Sequence, residues 1–379
     1  MIYADNAATT KISDSVFEKM IPYLRDQYGN ASSRYSLGIK AKHAVEQARK
    51  QVAIAIGAEP SEIIFTSSGS ESNNWVLRCF VDNICNERIH VITSTIEHHS
   101  VLNACHALEQ CGVEITYLPV SMAGQVSVAD VEAAIKPNTK LISIMLANNE
   151  IGTIQPIVGI GQLLRGKGIL FHTDAVQAVG HIPVDVETLN VDLLTASAHK
   201  FNGAKGTGIL YKRSGLNLSP LVFGGNQEHG LRAGTENVAG IVAAGYAIEE
   251  SVSEMTERAI ILRKMVEKTV AGIKEKIPAV RINGDCENRV PGTVNLGFDN
   301  ISGESLMHIL DIKGVHVSTS SACNSGKDAP SHVLIALGLS EQQAKSAVRI
   351  SYGKYNCIDE VDKVVLDICE AYNKIIANI

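Results

Sequence analysis

Between residues 63 and 211 short apolar runs alternate with segments of helical length, and this alternation narrows the possible folds more than any other feature of the chain. The runs cover 63–66, 90–93, 113–117, 141–145, 169–172, 191–194 and 209–211, and the stretches 101–110 and 128–135 are among the helical segments between them. Strands that alternate with crossover helices build an α/β fold, a mostly parallel sheet with helices on both faces. Such sheets collect ligands outside the carboxyl ends of their strands. The residues that follow each run are therefore where chemistry is to be sought.

Polar groups recur at those places. The first run leads to Ser67-Ser68-Gly69-Ser70-Glu71-Ser72-Asn73-Asn74, the second to Glu97-His98-His99 and the fourth to Asn148-Asn149-Glu150. The fifth leads to Asp174 and Gln177, and the sixth to Ser197, His199 and Lys200. A lysine at the mouth of a packed sheet suits a Schiff-base amine, because partial burial lowers its pKa and frees the lone pair. A lone lysine in a loop is more often a solvated surface group, so its neighbours decide. Ser68-Gly69-Ser70 reads as a glycine turn opening a helix, whose free N–H groups and positive dipole end bind phosphate. An ordinary serine N-cap is the commoner use of such a turn. Asp174 either caps a helix or faces a cation such as a pyridinium nitrogen. Taken together the set fits pyridoxal phosphate. Lys200 would bond the aldehyde and Asp174 the ring nitrogen, while Gly69, Ser70, Ser197 and His199 would hold the phosphate. His98 would lie against the ring face, and Asn149 and Gln177 would reach its oxygen.

Composition excludes several other classes. The 379 residues carry a formal charge of -6 and no run of Lys and Arg, which argues against a nucleic-acid-binding surface. No apolar run has the length of a membrane span, and the start Met1-Ile2-Tyr3-Ala4-Asp5-Asn6 lacks a signal-peptide pattern, so a cytoplasmic protein without membrane contact is expected. Eight cysteines include no Cys-x-x-Cys pair, which signals neither a metal site nor a disulfide framework. Most are expected to be small buried hydrophobes. Beyond Gly240 a helical stretch at 241–273, interrupted at most briefly, leads to runs at 294–298, 315–318 and 348–351 and to an amphipathic helix at 359–376. A second, smaller α/β domain is the natural reading.

Several motifs in order carry a family resemblance: Asp5-Asn6-Ala7-Ala8-Thr9-Thr10, Phe65-Thr66-Ser67, Glu97-His98 and Asn148-Asn149-Glu150-Ile151-Gly152. Asp174-Ala175-Val176-Gln177, Ser197-Ala198-His199-Lys200, Arg232-Ala233-Gly234-Thr235 and Ser321-Ala322-Cys323 complete the set. Almost end to end, the chain resembles the cysteine desulfurases of the NifS/IscS group, within the class V aminotransferases. The resemblance implies a fold-type I pyridoxal-phosphate enzyme with a seven-stranded sheet in a large domain of residues 14–250. It also implies a small domain of residues 1–13 and 251–379, and a homodimer. Thr235 would reach the phosphate of the neighbouring subunit's cofactor, and Arg349 would grip the substrate carboxylate with help from Asn30.

Cys323 would then separate desulfurase chemistry from other uses of the cofactor. It lies in the polar stretch 318–330, where a thiol is expected to be exposed, unlike the other seven. The implied reaction takes L-cysteine, moves its Cα proton through Lys200, transfers the sulfur to Cys323 as a persulfide and releases alanine. An acceptor protein, an iron-sulfur scaffold or a tRNA-thiolation enzyme, would receive the sulfur. Ala31 and Tyr35 stand where the family commonly has proline and histidine, at the expected substrate entrance. The chain ends about thirty residues after Arg349, a shorter tail than IscS-type members carry, which makes a NifS-type or tRNA-thiolation partner at least as fitting. A selenocysteine lyase or aminotransferase on the same fold, or a silent partner-binding homologue, are the rival readings.

Overall fold

The computed structural model describes residues 1–79, 88–319 and 329–377. The chain opens with β1 (Ile2–Tyr3), α1 (Asp14–Arg25) and α2 (Ser36–Ile56). Seven strands of one sheet follow: β2 (Ile63–Thr66), β3 (His90–Ser94), β4 (Glu114–Leu118), β5 (Thr139–Ser143), β6 (Leu170–Asp174), β7 (Leu193–Ser197) and β8 (Gly208–Lys212). Between them lie α3 (Gly69–Arg78), α4 (His99–Gln110), α5 (Val128–Ala134), α6 (Ile157–Leu164) and α7 (Val186–Leu189). The order across the sheet is β2-β8-β7-β6-β5-β3-β4, and only β8 runs against the others. The expected α/β architecture with a mostly parallel seven-stranded sheet is what the chain adopts. Its central strands are buried on both faces, as β3 and β7 are at every position.

Two strands extend further than their apolar runs. Asp174 and Ser197 are the last residues of β6 and β7 rather than residues beyond them. Polar residues stay in the ladder here because they bond one another inside the sheet. His172 meets Ser143 Oγ through Nδ1 at 2.8 Å and Thr195 Oγ1 through Nε2 at 3.1 Å, and Thr173 Oγ1 donates to the Ile144 carbonyl at 2.8 Å. With its ring sealed from water, His172 is driven down to about 3 and stays neutral.

Two helices, α8 (Val238–Ser253) and α9 (Met255–Lys276), meet at Glu254 and make up the helical connector, briefly interrupted, that the sequence led one to expect. They face different cores. Ile241, Ala244 and Ile248 of α8 pack with the large sheet, whereas Leu262, Met265 and Ile273 of α9 join a second core. That core contains β9 (Arg281–Asn283), β10 (Thr293–Gly297), α10 (Gly303–Ile312), β11 (Val315–His316) and β12 (Ser318–Thr319). The short helices α11 (His332–Ala336) and α12 (Glu341–Lys345), then β13 (Ala347–Ser351) and α13 (Glu360–Ile376), complete the chain. The second sheet is antiparallel with order β12-β13-β10-β9. The N-terminus folds back onto this part: β1 pairs in parallel with β11, and the Ser351 amide donates to the Ala4 carbonyl at 2.8 Å.

One expectation about cysteines fails. Cys105 and Cys369 are buried and Cys79 is half-buried, but Cys111, Cys286 and Cys357 are exposed. Cys111 caps the end of α4 and the other two lie in connections, where a small side chain meets water without penalty. Exposure therefore does not set Cys323 apart, and Cys323 itself lies outside the described residues. Among the described residues no helix is long and apolar enough to cross a membrane.

Candidate active site

The carboxyl ends of β6 and β7 and the N-terminus of α3 meet at a cavity of about 520 Å³. This lies within the range of about 300–1,000 Å³ usual for small-molecule sites. Gly69, Ser70, His98, Asn149, Asp174, Gln177, Ser197, His199, Lys200 and Arg349, all expected from the sequence, line it. Ser68 caps α3 by accepting from the Glu71 amide at 3.1 Å, and the first-turn amides of Gly69 and Ser70 have no partner within the helix. A Cβ on Gly69 would come within 2.8 Å of Val176 Cγ2, so this helix end closes tightly on the turn after β6.

Beyond Ser197 the chain tightens into a short 3-10 turn, Ala198–Lys200, which presents His199 and Lys200. The N-terminal segment covers it. Lys200 Nζ donates to the carbonyls of Ala7 at 2.6 Å and Ala8 at 2.7 Å, while the Thr10 amide and hydroxyl both donate to the His199 carbonyl. From behind, His181 Nε2 meets the Lys200 carbonyl at 2.9 Å. Burial, with Lys200 and Lys205 nearby, lowers His199 to about 4, so its ring is neutral and acts through hydrogen bonds.

Asp174 is buried with one oxygen on the Val176 amide at 3.0 Å and the other on Asn73 Nδ2 at 2.7 Å. It thus caps the turn after β6 and also presents a carboxylate to the cavity. His98 is the N-cap of α4, and burial lowers its pKa against the opposing pull of Asp174. Arg349, on β13, is nine-tenths buried or more: its Nη2 meets Asp5 Oδ1 at 2.6 Å, its Nη1 donates to the Asn149 carbonyl at 2.8 Å, and its Nε has no partner among the described residues. Residues from both cores therefore form one wall.

A family model described as aminotransferase class-V matches residues 2–364. The chain belongs to the class-V aminotransferase family. A protein of Methanosarcina thermophila named cysteine desulfurase IscS is 47% identical over 374 residues, which is 99% of this chain and 92% of that protein. A solved structure titled NifS-like protein superposes with a TM-score of 0.93 at 40% identity, covering 98% of this chain and 99% of the other. Another, SspA in complex with cysteine, gives a TM-score of 0.82 at 38% identity, covering 94% and 100%.

Class-V aminotransferases and their desulfurase relatives are pyridoxal-phosphate enzymes, and the cavity suits that cofactor. It holds an amine on Lys200, a buried carboxylate on Asp174 held by an amide at each oxygen, and a tightly packed helix N-terminus at Gly69. Two residues named from the sequence do not line it, and a third lies outside the described residues. Thr235 is exposed and does not line its own chain's cavity; Asn30 is exposed, with Oδ1 accepting from the Ser32 amide at 2.8 Å; Cys323 falls outside the described residues. Thr319, four positions before Cys323, lines the cavity.

In this class-V aminotransferase several wall residues carry no sequence signal of their own. Asn73 and Ser100 sit among many polar residues after their strands, and Asp5, behind the wall, acquires its partner Arg349 only when the N-terminus folds back. Glu150, fully buried, accepts from Ser331 Oγ at 2.5 Å, and burial pushes its carboxyl up to about 7. Its place in Asn148-Asn149-Glu150 marked it, but nothing in the chain's linear order pointed to Ser331.

Proposed function

We propose that this chain is a pyridoxal-phosphate-dependent cysteine desulfurase that takes sulfur from L-cysteine and releases L-alanine. The observation that carries it is the pairing of Lys200 and Arg349 on one cavity wall in a family with close relatives of that name. An α-amino acid needs both: an amine that can work at Cα and a cation for its carboxylate.

When bound, pyridoxal phosphate supplies an electron-withdrawing ring that takes up the electrons freed at Cα. Gly69, Ser70, Ser197 and His199 would hold its phosphate, His98 would face its ring, Asn149 and Gln177 would serve its ring oxygen, and Asp174 would keep the ring nitrogen protonated. Arg349 would fix the substrate carboxylate with the guanidinium hydrogens that Asp5 and the Asn149 carbonyl leave unused. Lys200 would accept the Cα proton and later return it, while the cofactor would supply the electron sink that weakens the carbon–sulfur bond. The thiolate of Cys323 takes the sulfur, forming an S–S bond as the C–S bond breaks, and alanine leaves after protonation.

The wider assignment goes with this reading. Residues 14–250 form the cofactor-binding domain, and residues 1–13 with 251–379 form the small domain. The enzyme acts as a cytoplasmic homodimer in which Thr235 serves the neighbouring subunit's phosphate, and Asn30 assists Arg349. An acceptor protein in iron-sulfur assembly or thio-modification takes the persulfide. Mass spectrometry of the protein after brief exposure to L-cysteine tests the core of this: the peptide bearing Cys323 gains one sulfur atom. A protein that makes alanine with no sulfur on that peptide would count against the persulfide route.

A further inference from the structure

We propose that Asn73, acting with Ser100, is a positioning residue that sets Asp174 and His98 as a single preformed unit for the cofactor. This inference rests on the activity proposed above and names residues that the activity alone does not require.

The two groups come from different elements. Asp174 ends β6 and His98 starts α4, with α3 lying between, so nothing in either element fixes one relative to the other. Asn73, in the second turn of α3, is 1% exposed and reaches both. Its Nδ2 donates to Asp174 Oδ2 at 2.7 Å and to Ser100 Oγ at 2.9 Å, one hydrogen to each. Ser100 Oγ then has its own hydrogen for His98 Nδ1, 2.8 Å away. The Ser100 amide also donates to that nitrogen, at 3.1 Å. Nδ1 is thus an acceptor twice over, and a neutral His98 ring carries its proton on Nε2.

The direction of this chain follows from charge. Turning the Asn73 amide over would set its oxygen against the Asp174 carboxylate. In the orientation adopted, Oδ1 is buried without a partner among the described residues, a cost the fold accepts while both hydrogens are used. The remaining oxygen of Asp174 is held by the Val176 amide, so the carboxylate is fixed at both ends. A ring bound against His98 and Asp174 therefore meets one tautomer and one rotamer, the way outer partners orient the groups that touch a metal or substrate.

The test titrates apoprotein with pyridoxal phosphate and reads the ring nitrogens of His98 by 15N NMR before any cofactor is added. Asn73→Leu is expected to weaken cofactor binding about tenfold and Ser100→Ala a few-fold, with the double variant no worse than Asn73→Leu alone, because both cut one chain. Apoprotein His98 is expected as the Nε2–H tautomer in the wild type and in Ser100→Thr, which keeps the hydroxyl, and with a shifted Nδ1 resonance in Ser100→Ala and in the double variant, where only the backbone amide of residue 100 still donates to Nδ1. Effects that multiply, unchanged affinity in both single variants, or an Nδ1–H tautomer in the wild type overturn the proposal. Should Asn73→Leu fail to fold, Ser100→Ala and Ser100→Thr decide it through the same two readouts. The expected affinity pattern in a protein that makes no alanine from cysteine upholds the relay and sinks the activity. Unchanged affinities in a protein that desulfurates cysteine sink the relay alone.

Discussion

At the scale of single residues, burial and partner decide what each cavity group can do. Arg349 is the clearest case, since its fork is held by Asp5 and the Asn149 carbonyl before any ligand arrives. Lysine keeps the charge but loses the fork. Arg349→Lys is expected to raise KM for cysteine about 10- to 100-fold with a smaller change in kcat, the loss of one charge-assisted hydrogen bond or two; steady-state kinetics check it. Glu97, directly before His98, is fully buried and accepts from Ser94 Oγ at 2.6 Å and the Met145 amide at 3.0 Å, and desolvation pushes its carboxyl up to about 8. A raised folded-state pKa means that the fold keeps a proton the unfolded chain has lost, so this group's stability contribution is full in acid and lost as pH climbs from the ordinary carboxylate range through about 8. Glu97→Gln removes that dependence. Its Tm relative to wild type is expected to rise between about pH 5 and pH 8 and level off above that; a difference that stays flat with pH would contradict the protonated reading. Lys200 and Asp174 were legible in the sequence because each stands where an apolar run stops, whereas a lone histidine such as His98 reads more often as a core or capping residue. Asn73, Ser100 and Asp5 were not, because their roles exist only through partners 27, 101 or 344 positions away.

At the scale of elements, β2 shows how the sheet closes an exposed edge. Its outer side would leave a carbonyl and an amide unpaired, inviting another strand. A buried ion pair covers them instead. Arg49 of α2 and Glu228 bond at 2.7 and 2.9 Å, Arg49 Nη1 also donates to the Ile63 carbonyl at 2.7 Å, and the Phe65 amide donates to Glu228 Oε2 at 2.9 Å. Removing one partner strands a buried charge. Glu228→Ala is expected to cost about 3–5 kcal/mol in denaturant unfolding, and replacing both residues by apolar ones of similar size is expected to recover most of it. The strands of the large sheet were legible because hydrophobic runs separated by helices admit few other folds. Their ends were less so: β6 and β7 run on through His172, Thr173 and Thr195, whose hydroxyls and ring are satisfied inside the sheet. β9 and the place of the break at Glu254 left no sequence signal, the first because it is three residues long, the second because both flanking segments are helical.

At the scale of the whole molecule, the N-terminal residues join the two cores across the cavity. Ile2 and Ala4 pack in the second core, Asp5 holds Arg349, and Ala7 to Thr10 lie on the Lys200 turn. Only the family resemblance pointed to this association, because a two-residue strand has no periodicity and its partners are over 300 positions away. Deleting residues 1–6 is expected to lower kcat/KM for cysteine at least about 100-fold, since a buried arginine loses its counter-ion; activity within a few-fold of wild type would show that the segment only covers the site. The central claim is tested most directly by incubating the protein with pyridoxal phosphate, L-cysteine and a reductant, and measuring alanine and sulfide together. The account predicts equal amounts of both, lost in Lys200→Ala and in Cys323→Ala. Neither product from the wild-type protein, or sulfide undiminished in Cys323→Ala, would contradict it.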